Sequence, residues 1–354
     1  MSTLFSSFTM RGVVLRNRIV VSPMCQYSGH DGFANEWHLV HLGSRAVGGA
    51  GAVFMEATAV SPEGRISDED LGIWKDGHVL FLKTITGFIS EYGAVPGIQL
   101  AHAGRKASHN AEWKGARLLQ PSEGGWEVVA PSPVPFSDQT ATPREITRDD
   151  IFRLVGCFAE AARRSVEAGF RIIEIHAAHG YLIHEFFSPL SNRRTDEYGG
   201  SFANRIRFLT EIVASARTVL PGDLALFVRI SSSDWADGGW TPEDSVELSR
   251  ILKSMGVDLM DCSSGGIIPG VKIPVGPGYQ VPFAEKVRRE AGIPTGAVGM
   301  ITSPLQAETI LNNGQADLIL MGRQLLRDPY FPLRAAHELG EEIQWPNQYR
   351  RGRW

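Results

Sequence analysis

Eight short runs of β-branched and aliphatic residues, each followed by an amphipathic stretch, constrain this chain of 354 residues more than any other feature. They are RIVVSPM from Arg18, GAVFMEA from Gly51, VPGIQLA from Val95, RIIEIHA from Arg171, LALFVRIS from Leu224, VDLMDCS from Val257, IPTGAVG from Ile293 and ADLILMG from Ala316. Strands alternating with helical patterns predict parallel β-α units. Eight such units predict closure into a (β/α)8 TIM barrel of the α/β class, for which this length is ordinary.

The helices are punctuated in a way that fixes the count. Ile151, Leu154, Val155, Phe158 and Ala162 fall on one face at helical spacing. Thr147 with Asp150 three residues later reads as a capped start, and Gly169 as the stop. Thr241-Pro242 with Gly256, and Ser303-Pro304 with Gly314, repeat the pattern. The surplus over a minimal barrel lies in residues 108–145, rich in Pro, Gly and Trp, and in the loop after the fourth strand. No linker or low-complexity tract interrupts the rest. Residues 1–354 therefore read as one domain, with 108–145 an inserted capping loop and 345–354 a basic tail.

Charge excludes one class of partner. Thirty-five basic against 39 acidic residues give a net charge of -4 with no basic stripe, so no nucleic acid is expected. Three dispersed cysteines, Cys25, Cys157 and Cys262, form no C-x-x-C pair and cannot build a disulfide framework. They point to a reducing, cytoplasmic setting. The first residues lack a signal-peptide pattern, and no apolar run reaches the ~18 residues a membrane span needs, so no membrane partner is expected.

A barrel of this kind builds its site from the carboxyl ends of its strands. Those ends carry Ser22-Pro23-Met24-Cys25, Ala57, Gln99, then His176, His179 and Tyr181, then Arg229, Gly299 and Gly322-Arg323. Glycines at the last two ends with Arg323 suit a phosphate. A glycine turn with a surface arginine is the plain alternative. Spacing alone leaves the histidines as metal ligands, as a hydrogen-bonding clamp, or as residues satisfied by backbone carbonyls. Against the metal, few carboxylates stand near strand ends: Glu56, Glu174 and Asp261. No lysine sits within a strand end for Schiff-base chemistry. A phosphate anchor, imidazole donors, a phenol and an interior arginine suit a phosphorylated redox cofactor, and Gln99 suits a ring with amide-like edges. Flavin mononucleotide (FMN) fits that description.

The stretches NRIVVSPMCQYS, EATAVSPEGRI, GIQLAHAGRKA, EIHAAHGYLIHEFFSPLSNRRTDEYGGSFANR, LFVRIS, DCSSGG, GAVGMI and ADLILMGRQLLRDP together resemble the old yellow enzymes. The branch they look closest to is the thermophilic-like one that includes the xenobiotic reductases. The resemblance spans essentially the whole chain and implies a non-covalently FMN-dependent ene reductase that takes NADPH or NADH as reductant. It assigns Ser22, Pro23, Met24, Cys25, Ala57, Gln99 and Arg229 to the flavin ring, and Gly299, Gly322 and Arg323 to its phosphate. It implies that His176 and His179 hold the carbonyl of a small-molecule substrate, that Tyr27 reaches it, and that Tyr181 donates the proton. Activated alkenes would be reduced, and the same clamp would accept quinones or nitro compounds. In relatives of this branch a terminal arginine enters the neighbouring subunit's site. Arg351, before Gly352, is the best match, with Arg350 and Arg353 beside it, and a homodimer or higher homo-oligomer follows. Iron–sulfur relatives with further domains do not suit three scattered cysteines at this length.

Overall fold

The computed structural model describes residues 2–354. Eight parallel strands close a barrel: β1 (Ile19–Val21), β2 (Ala52–Ala59), β3 (Val95–Ala101), β4 (Ile172–Ala177), β5 (Ala225–Ser231), β6 (Leu259–Ser263), β7 (Thr295–Ala297) and β8 (Leu318–Met321). Each pairs with the next, and β8 pairs with β1. Around them stand α1 (Glu36–Val47), α2 (Val79–Glu91), α3 (Arg148–Glu167), α4 (Phe202–Val219), α5 (Pro242–Ser254), α6 (Val281–Ala291), α7 (Pro304–Asn312) and α8 (Phe331–Glu338). The expected caps form: Thr147 and Thr241 close reciprocal boxes with Asp150 and Asp244, and Ser303 accepts from Gln306 N. Gly169 follows α3 at φ +92°, a backbone angle that a side chain would strain.

Two strands depart from their expected lengths for identifiable reasons. β1 spans three residues because Pro23, two positions on, has no N–H for a ladder. β2 runs on to Ala59 and carries an irregularity between Met55 and Ala57, which places Ala57 opposite Gln99. The same irregularity turns Glu56 towards α1, where it sits 3.5 Å from His38 Nε2 and accepts from Gln26 N.

A hairpin that strand counting passes over, Phe8–Met10 with Val13–Leu15, closes the amino end of the barrel. Met10, Val13 and Leu15 pack there against Val20, Phe54, Phe227 and Leu320 from the barrel interior. Each side chain so buried contributes about 1.5–3 kcal/mol, which makes that end a solid floor. Above it the interior turns polar: Gln99 stands opposite Glu174, and Arg229 opposite Asp261. Only the carboxyl end stays open to chemistry.

Candidate active site

At the end of β4 the chain turns through two left-handed residues, His179 at φ +60° and Gly180 at φ +73°. A Cβ on Gly180 would strike the carbonyl oxygen of Gly266, so only glycine fits there. A non-glycine residue in this region costs about 1–3 kcal/mol, and the surroundings of His179 offset it. Its N–H donates to Ser231 Oγ at 2.9 Å, and its carbonyl accepts from Lys106 Nζ at 2.8 Å. Its Nε2 lies 2.7 Å from Ser263 Oγ. The turn folds three rings into one group. His176 lies 5.1 Å from His179 and 5.1 Å from Tyr181, centroid to centroid, edge-on to both. Tyr181 leads straight into the short helix Leu182–Phe187, which is wholly buried. Behind it, His184 accepts from Gly180 N and bonds Asp234 at 2.9 Å.

Protonation follows from burial. His176 is held well below the usual imidazole range by burial, with Arg229, His184 and Lys106 adding to it. Ala178 N donates to His176 Nδ1 at 3.3 Å, so the ring's one proton sits on Nε2. His179 is depressed likewise, first by burial and then by Arg229. Burial holds the Tyr181 phenol well above its ordinary range, with Cys25 and Tyr27 adding to the effect. None of the described residues engages its hydroxyl. The group therefore offers neutral imidazole donors and an un-ionised phenol at neutral pH. Among the described residues no cluster of three or more His, Cys, Asp or Glu could hold a metal ion.

A cavity of about 260 Å³ runs from Arg229 past Ser263, Gly299 and Gly322 to Arg323 at the rim. Residues at these strand ends fit FMN on three counts. Arg229, buried in the barrel, pairs among the described residues only with Asp261, at 3.1 Å, which leaves guanidinium N–H groups for a cofactor. Ser22 Oγ, just past the end of β1, is buried without a partner among the described residues. A Cβ on Gly299, at φ +125°, would press to 3.1 Å of Tyr279, so its backbone is bare where a phosphate needs close approach. Arg323 is exposed at the mouth. Met24 lies beside Gly322, its sulfur 3.5 Å from where a Cβ would stand.

Ala57 and Tyr181 line one small cavity with Asp70. Cys25 lies beside the site with its thiol pushed well up by burial and by Asp70 and Glu56. Tyr27 is half-buried at φ +45°, and its ring meets Trp113 of the 108–145 segment edge-on at 5.7 Å. That segment lies over the mouth: Arg105 donates to Val134 O at 3.0 Å, and Lys106 caps the Phe136 ring at 4.1 Å. Arg351 stands apart from this group. It is exposed on a tail whose Trp345 and Pro346 share a cavity with Arg16 and Tyr92 at the amino end of the barrel, and whose Trp354 stacks on His337.

Two residues near the site had no expectation attached. Lys106, whose burial lowers its amine to about 8, braces the His179 turn from the loop after β3. Gln280, ahead of α6, accepts from Ser264 Oγ at 2.6 Å and so steadies the end of β6. Neither carries a local signal beyond standing near a strand end, since each acts through backbone or hydroxyl partners remote in sequence.

Residues 3–342 match the NADH:flavin oxidoreductase / NADH oxidase family. An NADPH dehydrogenase of Geobacillus thermodenitrificans (strain NG80-2) is 54% identical over 353 residues, covering 99% of this chain and 98% of the relative. Morphinone reductase superposes with a TM-score of 0.80 at 26% identity, over 98% of this chain and 92% of its own. A 2-naphthoyl-CoA reductase in complex with 2-naphthoyl-CoA superposes with a TM-score of 0.85 at 26% identity over 96% of this chain, which spans about half (52%) of that longer chain. With its (β/α)8 barrel and a cradle that fits FMN, this chain belongs to the NADH:flavin oxidoreductase / NADH oxidase family, in which the old yellow enzymes fall, and is a flavin-dependent oxidoreductase.

Proposed function

We propose that the protein is an NADPH-dependent ene reductase acting on α,β-unsaturated ketones, aldehydes and imides. The observation that carries this reading is the grouping of His179 and Tyr181 around His176, each with its ring centroid 5.1 Å away, which sets neutral imidazoles beside an un-ionised acid. Gln99, Arg229, Ser22, Gly299 and Arg323 would hold FMN. When bound, FMN would supply the hydride-transfer chemistry between NADPH and an activated alkene.

The chain's own residues then have distinct tasks. His176 donates Nε2–H to the substrate's carbonyl oxygen, where negative charge develops as the alkene is reduced. A preorganised donor in a dry site gains strength as that charge grows. His179 reaches the same oxygen once its Nε2 exchanges Ser263 Oγ for substrate. Tyr181 gives its proton to the α-carbon, so charge does not build up on the product. Tyr27 and Trp113 line the approach, and burial of the histidine pair keeps water from the oxygen.

Arg351 is proposed to complete a neighbouring subunit's site in a homodimer, a reading supported by its exposure on a tail at the far end of its own barrel. Unpaired Cys25, Cys157 and Cys262 support a reducing, cytoplasmic location. The deciding experiment is anaerobic stopped-flow in two halves. NADPH is expected to bleach the flavin of the holoenzyme, and 2-cyclohexenone to restore its colour in stoichiometric amount. Bleaching that no enone, imide or enal reverses would refute the ene-reductase reading.

A further inference from the structure

Glu174 lies two residues before His176 on β4, wholly buried, and the chemistry above makes no use of it. Its Oε1 accepts from Gln99 Nε2 at 2.7 Å, while its Oε2 has no partner among the described residues. Beside it Arg229 pairs with Asp261 at 3.1 Å. A well-packed apolar residue would serve stability as well as such a buried polar layer, or better. Stability therefore does not account for Glu174.

We propose that Glu174 is a positioning residue for FMN, accepting one N–H of Gln99 so that the amide presents its second N–H and its oxygen to the cofactor in one fixed sense. A glutamine amide has two donors and one acceptor oxygen, and a half-turn exchanges them with almost no change of shape. The pyrimidine edge of a flavin alternates N–H with C=O, so the two senses are unequal: one pairs donor with acceptor, the other sets like against like. The acceptor at 2.7 Å breaks the symmetry of the amide.

The state of the carboxyl supports a geometric role. Burial raises it, Asp261 raises it further, and Arg229 and Gln99 only partly oppose them. At neutral pH it stands as an uncharged acid with a carbonyl-like acceptor, and the layer keeps Arg229 balanced by Asp261. Glutamine is the close mimic of that state. Aspartate is one methylene too short to hold the contact, and leucine has no acceptor.

The test is FMN affinity, followed by quenching of FMN fluorescence on titration into apoprotein, together with the midpoint potential of the bound flavin. Glu174→Gln is expected to bind within about twofold of the parent, inside ordinary additivity error, with its potential unmoved. Glu174→Leu and Glu174→Asp are expected to bind about tenfold more weakly, the cost of one unfixed buried amide, with a shifted potential. In a Gln99→Ala background, adding Glu174→Leu should leave affinity unchanged, which a merely structural role would not allow. Parent-like affinity in Glu174→Leu or Glu174→Asp overturns the proposal, as does a Glu174→Gln as weak as Glu174→Leu, or a full loss persisting without Gln99. Should Glu174→Leu fail to fold, the Gln and Asp variants, which both keep a polar group, decide it.

Discussion

His176 and Tyr181 stand edge-on with ring centroids 5.1 Å apart, close enough for the proposed oxygen donor and proton donor to serve one small molecule. Tyr181→Phe keeps the ring and its packing and removes only the proton. Flavin reduction by NADPH should be unchanged, and reoxidation by an enone should slow by about 10²- to 10⁴-fold, the usual worth of a placed acid. Rapid-mixing measurement of the two half-reactions separates them, and equal losses in both would remove the proton-donor role.

The histidine pair should bind phenols through the same donors, since a phenolate oxygen resembles the charge that develops on the carbonyl. Replacing His176 and His179 by Ala removes two hydrogen bonds to a charged oxygen, each contributing about 1.5–3 kcal/mol. Titration of 4-hydroxybenzaldehyde, followed by long-wavelength flavin absorbance, should show at least about a hundredfold weaker binding in the double variant. Retained affinity would mean that the oxygen is held elsewhere.

Burial also fixes a pH expectation. Both imidazoles are depressed, so they stay neutral down through their ordinary titration range, and Tyr181 is raised, so it stays protonated up through its own. Reoxidation of pre-reduced enzyme by an enone should therefore be flat between about pH 7 and 9, the interval between the unperturbed histidine and tyrosine values. A rise in rate on acidification with a midpoint near 6.5 would show an imidazolium at work instead.

Behind the site, Asp234 bonds His184 at 2.9 Å, Ser188 Oγ at 2.6 Å and Trp240 N at 2.7 Å. Burial alone would raise this carboxyl, but His184 and these hydrogen bonds outweigh it and hold it below the usual carboxylate range. A depressed carboxyl stabilises the fold above the unfolded value of about 3.9 and loses that contribution as pH falls through the folded one. Asp234→Asn should cost about 2–3 kcal/mol at pH 7, about 3–4 °C in melting temperature, and flatten the fall in stability below about pH 4. Equal melting curves for the two proteins at pH 7 would show that the network does not matter to the fold.

The strands, the caps and the chemistry-bearing positions were legible in the sequence because each rests on local pattern. β-branched runs specify strands wherever they pack, Thr147-x-x-Asp150 closes its own box, and RIIEIHAAHGY carries its histidines at the end of a strand whatever surrounds it. The floor hairpin at Phe8–Leu15 was not legible, since six strand residues have meaning only once a barrel end stands open to receive them. The choice among metal ligand, clamp and inert histidine was not legible either. The proposed clamp is supported by the left-handed His179 and by Lys106, from the loop after β3, and Ser231, at the end of β5, meeting it from other strands. Residue type and strand end are properties of a short segment, and the sequence by itself determined them. How His179 is held, how the Gln99 amide is turned and where Arg351 stands depend on groups brought together from 70 or more positions away, and on the water excluded when they meet. Those the tertiary structure decided.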